Sequence, residues 1–208
     1  MLGLGSSIIA SSAPNKLELI ATYTADWSSG VDSWTDIGLN DTPFTIARIA
    51  SFGGSDGAGG TVTKNNVLQV DVNADETGLS GIQRANPFTT KAGDIVETTF
   101  DIYLDSTQGA EDRWSGTDDV RVYVTQPGWD TESFDVEQNK WASISTVNGA
   151  TLTNATLNQD ANTSDTMTNV PTMSQIYFAE SVGDEPLEDA RFYVANLVVK
   201  QYRSTLFG

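Results

Sequence analysis

The sequence of 208 residues contains no cysteine and no histidine. Without cysteine there are neither disulfides nor thiolate metal ligands, and the redox compartment leaves no mark on the chain. Without histidine, Ser-His-Asp and Cys-His catalysis, imidazole-bound zinc and histidine pH switching are excluded. An enzyme built from this chain would work with carboxylates, lysine or tyrosine. Basic residues are scarce as well: 11 Lys plus Arg stand against 28 Asp plus Glu, a formal net charge of −17. Nucleic-acid phosphates and anionic membrane surfaces require clustered Lys and Arg, so neither is an expected partner. The acidic balance favours solubility, bound cations, or neutral and cationic partners. No apolar run is long enough for a helical membrane span.

What the sequence does hold is period-2 alternation. Residues Gly93 to Leu104 place Val96, Thr98, Phe100, Ile102 and Leu104 on one face and Ile95, Glu97, Thr99, Asp101 and Tyr103 on the other. Asp118 to Gln126 repeats the scheme, with Val120, Val122 and Val124 opposite Arg121, Tyr123 and Thr125. Ala190 to Tyr202 is apolar on both faces for most of its length, as in a strand at the middle of a sandwich. Further strands are expected over Lys16–Thr24, Phe44–Phe52, Asn66–Asn73, Leu79–Arg84, Lys140–Val147 and Gln175–Ser181, with short strands or an edge segment between Asn148 and Met173. Ala25–Pro43, with Trp27 and Trp34, and Pro127–Glu137, with Trp129 and Phe134, read as polar connections. Gly53–Gly60 reads as a flexible hairpin loop; with no helix after it, it is no phosphate cradle. About nine or ten strands and no sustained helical period give an all-β, two-sheet antiparallel jelly-roll β-sandwich.

Residues 1–15 stand apart. They are uncharged, rich in Gly and Ser, and carry Leu2, Leu4, Ile8 and Ile9. A secretory signal would need a basic start and an uninterrupted apolar core. The segment reads instead as an extended N-terminal arm whose four aliphatic side chains dock on a neighbour, against the plainer alternative of a frayed terminus. The expected organisation is arm 1–15, sandwich 16–203 and tail 204–208.

The order of these features resembles the jelly-roll carbohydrate-binding modules attached to xylanases and cellulases. The resemblance rests on Asp26-Trp27 and Ser33-Trp34 after the first strand, Val67-Leu68-Gln69-Val70, Gly81-Ile82-Gln83, Gly93-Asp94-Ile95-Val96, Val120 to Val124, Trp141, and the closing Phe192 to Val199. It covers roughly residues 17 to 203 and implies a sandwich that binds sugar along a concave sheet face or at loop tips. On the concave face it points to Asp101 and Tyr103 on one strand and Arg121 and Tyr123 on the next as a glycan platform, with rings for stacking and charged groups for hydroxyls. Ordinary cross-strand pairs explain the same four residues. The family often holds a structural calcium through an Asp in the last strand; here Ala195 stands in that place, so the metal is left unknown and no other cofactor is implied.

The opening Met1-Leu2-Gly3-Leu4-Gly5-Ser6-Ser7 resembles the start of structural proteins of tailed phages. That resemblance implies a virion location: a capsid decoration, cement or fibre-base protein docked by its arm on capsid or tail proteins. It would be a homo-oligomer, a trimer if it sits on a three-fold axis, with weak glycan binding at most. The alternative is a non-catalytic carbohydrate-binding module. Trp114 and Trp129, in polar loops, are candidate contact residues at an interface or a glycan, or caps of the core. Carboxylate pairs such as Glu111/Asp112 and Asp118/Asp119 sit mostly in loops where charge is solvated, so no enzyme is expected.

Overall fold

The computed structural model describes residues 17–36, 45–71, 80–85, 87–88, 95–106, 117–123, 131–148, 172–179 and 191–204. These form eleven strands and no helix: β1 (Leu17–Thr24), β2 (Thr35–Asp36), β3 (Thr45–Ser55), β4 (Thr61–Asp71), β5 (Ser80–Ala85), β6 (Ile95–Asp105), β7 (Thr117–Tyr123), β8 (Thr131–Glu137), β9 (Trp141–Asn148), β10 (Thr172–Ala179) and β11 (Arg191–Ser204). The arm, residues 205–208 of the tail, and the stretches 107–116 and 149–171 lie outside the described residues.

Two antiparallel sheets result, and the fold is the expected all-β jelly-roll sandwich. One sheet runs β3-β4-β11-β6-β9, with β1 also paired to β11; the other runs β2-β5-β10-β7-β8. β11 is the axis of the first. It pairs with β6 along most of its length, with β4 from Arg191 to Val194, and with β1 from Val198 to Ser204. A strand flanked on both edges and covered on both faces has little solvent side, which is why its sequence is apolar over most of its length.

The main core lies between the sheets. Leu68 and Val70 of β4, Phe100, Ile102 and Leu104 of β6, and Phe192, Val194, Leu197 and Val199 of β11 pack with Ile82 of β5 and Val136 of β8. Each such side chain removed from water contributes about 1.5–3 kcal/mol. Trp27 and Trp34 are fully buried members of this core. The described part of the connection after β1, residues 25–36, is therefore a core element and not the polar loop its composition indicates. At its turn Asp32 and Ser33 take positive φ angles. Asp32 accepts hydrogen bonds from the Tyr23 hydroxyl and, at 2.8 Å, from Arg84 of β5. The guanidinium also lies 4.3 Å from the centre of the Tyr23 ring, so this group ties β1 of one sheet to β5 of the other.

Two further expectations are corrected. Pro127–Glu137 does not remain a loop: Thr131–Glu137 is the edge strand β8, paired with β7. Phe134 and Val136 alternate there with Ser133, Asp135 and Glu137, but the run is short and follows the turn signals of Pro127-Gly128, so it reads as part of a loop. The glycine-rich hairpin loop is also shorter than expected, because β3 continues through Gly53 and Gly54 to Ser55 and β4 begins at Thr61.

Candidate functional site

Opposite the main core, the outer face of the six-stranded sheet carries a second cluster. Val67, Tyr103, Tyr193 and Ala195 are buried there, with Ile49, Phe52 and Trp141 packed against them. Strand register builds the row: Gln69 faces Tyr193, Tyr193 faces Tyr103, and Tyr103 faces Trp141 across β4, β11, β6 and β9. Tyr103 meets Trp141 and Tyr193 edge-on, with ring centroids 5.6 and 6.1 Å apart.

Phe52 does not belong to that row by register. It lies on β3, yet its ring stacks on Tyr193 at 3.7 Å and 15° and meets Tyr103 and Trp141 edge-on. The β3–β4 hairpin therefore folds across the sheet face. Gly54 comes so close to it that a Cβ there would stand 2.5 Å from Tyr103 and 2.9 Å from Trp141 Nε1, and one on Gly57 would stand 3.1 Å from Lys140. β4 and β9 are separated by two strands, about 14 Å in the plane of a sheet. Only a hairpin lying over the face reaches that far. Glycine is required at 54 by this approach. At the tip, the Asp56 carboxylate accepts from the backbone N–H groups of Ala58 (2.8 Å) and Gly60 (2.9 Å), which hold it below the ordinary carboxylate range.

A polar group borders the rings. Asp101 accepts from Lys64 Nζ at 2.9 Å, Asn196 Nδ2 at 2.6 Å and Ser143 Oγ at 2.5 Å. These donors come from β4, β11 and β9. Burial pushes the Asp101 carboxyl up, but the bonds from Lys64, Ser143 and Asn196 outweigh it and bring it below the ordinary value. Lys64 also lies 5.7 Å from the Trp141 ring centre, joining the polar group to the aromatic one. Two asparagines with positive φ make this possible, Asn66 (52°) and Asn196 (53°). Each interrupts the alternation of its strand, and at Asn196 the register of β11 against β6 shifts between Ala195 and Val198. Burial raises both tyrosines of the row, with added push from the Asp105 carboxylate. Trp141 Nε1 is buried without a hydrogen-bond partner.

The predicted platform is half assembled. Asp101 and Tyr103 share this face, but β7, which carries Arg121 and Tyr123, is in the other sheet between β10 and β8. The four residues do not form one surface, because the chain crosses between sheets after β6. Asp101 and Tyr103 are also nearly buried, at 8 % and 9 % exposed, where alternation implies a solvated face. Leu2, Leu4, Ile8, Ile9, Trp114 and Trp129 lie outside the described residues. Sequence reasoning missed Phe52, Lys64, Ser143 and Tyr193 as members of the site. The available signals were the Gly53-Gly54 pair ending β3 and the polar Asn196 inside an apolar strand. Among the described residues no group of three or more acidic side chains lies together to hold a metal.

No family model matches this chain, and no curated protein matches it. Among solved structures it is similar to the CBM22-1 xylan-binding domain from Paenibacillus barcinonensis, with 13 % identity, TM-score 0.46, and coverage of 93 % of this chain and 100 % of that one. It is similar to a Stig cyclase from Fischerella sp. TAU, with 11 % identity, TM-score 0.47, and coverage of 88 % and 90 %. It is also similar to the enzymatically active domain of bacteriophage CBA120 tailspike protein 4, with 9 % identity, TM-score 0.40, and coverage of 84 % of this chain and 19 % of that one. At these scores the likenesses identify neither a ligand nor an activity for this chain.

Proposed function

We propose that this chain is a non-catalytic structural protein of a tailed-phage virion, attached to capsid or tail through its N-terminal end and presenting the sandwich outward. The observation that carries the reading is the placement of exposed aliphatic surface. Among the described residues two large apolar side chains are exposed, Leu19 at 49 % and Ile20 at 39 %. Both lie on β1, directly after the uncharged arm with Leu2, Leu4, Ile8 and Ile9, and Ile20 is the extra residue at a register shift against β11. Apolar side chains gathered at one end of a strongly acidic protein mark that end as a contact surface. The partners are other virion proteins and further copies of the chain, with a trimer as the form suited to a three-fold site. Light scattering of the full chain beside Leu19→Asp with Ile20→Asp tests this: a multimer reduced to monomer by the variant supports it. A wild type that is monomeric and a double Leu4→Asp, Ile8→Asp variant that still enters particles would together sink it.

The second reading, a carbohydrate-binding module, is favoured by the outer face of the six-stranded sheet. Trp141 and Phe52 supply rings, and Lys64, Asp101, Ser143 and Asn196 supply donors and acceptors for hydroxyls at their border. A net charge of −17 disfavours anionic glycans, and neutral ones are taken as the ligand class. Retardation in gels containing neutral polysaccharides, lost in Trp141→Ala, is the expected result; free migration of the wild type and of Phe52→Ala in every gel would end this reading. The two readings are compatible, since a displayed sandwich can carry a weak glycan site.

A further inference from the structure

We infer that the ring of Phe52 occupies a stacking subsite on Tyr193, and that one pyranose ring of a neutral glycan takes that place when the hairpin tip lifts. The inference rests on the glycan reading just given. Phe52 lies flat on Tyr193 at 3.7 Å, enclosed edge-on by Tyr103 at 5.0 Å and Trp141 at 5.9 Å. A flat ring held between one ring face and two ring edges has the space and the apolar contact that a sugar ring uses on an aromatic surface. The subsite is bordered by groups that read hydroxyls and have capacity beyond their mutual bonds. The amide oxygen of the exposed Asn196 takes no part in its bond to Asp101 and the exposed Ser143 hydroxyl can still accept, whereas Lys64, the strand partner of Phe52, moves with the hairpin.

The cover is built to leave. Beyond Phe52 the hairpin tip reads Gly53-Gly54-Ser55-Asp56-Gly57-Ala58-Gly59-Gly60, and Gly57 and Gly59 hold φ angles of 76° and 92°. Phe52 is the one large apolar side chain between Ser51 and Thr61, so the tip has a single aromatic anchor. The tip's bonds through Asp56 and Ser55 are internal to it and survive its movement. The closed form also leaves Trp141 Nε1 buried, unpartnered and facing Gly54, a donor that a ligand hydroxyl or water would satisfy once the tip has moved.

A closed state favoured by on the order of ten to one lowers apparent affinity by the same factor. The test uses the full chain in affinity gels containing xylan, mixed-linkage β-glucan, galactomannan or dextran. Phe52→Ala should bind one of these about tenfold tighter than wild type, and Gly54→Ala, which forces the tip off Tyr103 and Trp141 while keeping Phe52, should gain in the same direction. Adding Tyr193→Ala to Phe52→Ala should abolish the gain. If wild type binds and neither variant binds more tightly, the subsite is refuted while the glycan reading stands. If no form binds any of the four polysaccharides, both are refuted. Circular dichroism shows which variants are folded; should Phe52→Ala fail to fold, Gly54→Ala and Phe52→Leu are read in its place.

Discussion

Asp101 is the residue on which four strands converge, and the consequences of changing it follow from its surroundings. Asp101→Asn leaves Lys64 partly buried without its counter-charge and should cost about 2 kcal/mol, seen as a lower urea midpoint with unchanged slope. The acid limb has a definite sign. The folded carboxyl is held below its ordinary value of 3.8, so its stabilisation is present above that value and is lost as pH falls through the folded pKa. The gap in stability between wild type and Asp101→Asn should therefore close at low pH. Tyrosines behave oppositely. Burial first, then the bonds to Asp32 and Glu97, raise Tyr23 and Tyr202 to about 12 from 10.0. Their contribution is present below pH 10.0 and is lost as pH rises toward 12, so a tyrosinate absorbance titration should show late ionisation that coincides with unfolding. The alternation of β6 told which residues share the face of Asp101. It could not tell that the face is covered, because the cover comes from a hairpin remote in sequence.

At the scale of elements, the positive-φ asparagines are the points where local sequence and fold meet. Asn196→Gly keeps the backbone conformation, whereas Asn196→Val puts a β-branched residue at φ 53°; both remove the bond to Asp101. The valine variant should be destabilised by about 1–3 kcal/mol relative to the glycine one, measured by thermal unfolding. The bulge was visible in principle: Phe192 and Val194 are even-numbered, Leu197 and Val199 odd-numbered, and all four face the same core. Long strands with full apolar faces, such as β4, β6 and β11, were legible for that reason. β2 and β8 were not, since a two-residue strand has no period and the short alternation of Phe134 and Val136 in β8 follows the turn signals of Pro127-Gly128. The extension of β3 through Gly53-Gly54 was hidden because glycine signals a loop and a close backbone approach equally.

For the whole molecule, a charge of −17 sets the response to salt. Self-repulsion weakens as ions screen it, so added monovalent salt should raise the melting temperature, the reverse of a fold held chiefly by surface ion pairs. The sandwich itself was legible from period-2 strands and polar turns. The composition of the outer face was not, because it depends on which strand follows which sheet, and the crossing that separates β6 from β7 has no local signature. One consequence of the β11 axis concerns the order in which the chain is made. β1, β4 and β6 all take β11 as a partner, and β11 is the last described strand to leave the ribosome. The earlier strands of that sheet must wait for it with their apolar faces unsealed, and the β1 contact joins the two ends of the described chain, Leu17 to Ser204. Assembly of the six-stranded sheet is thus a slow, non-local event that waits for β11, and until then the unpaired edges of β1, β4 and β6 are open to wrong partners.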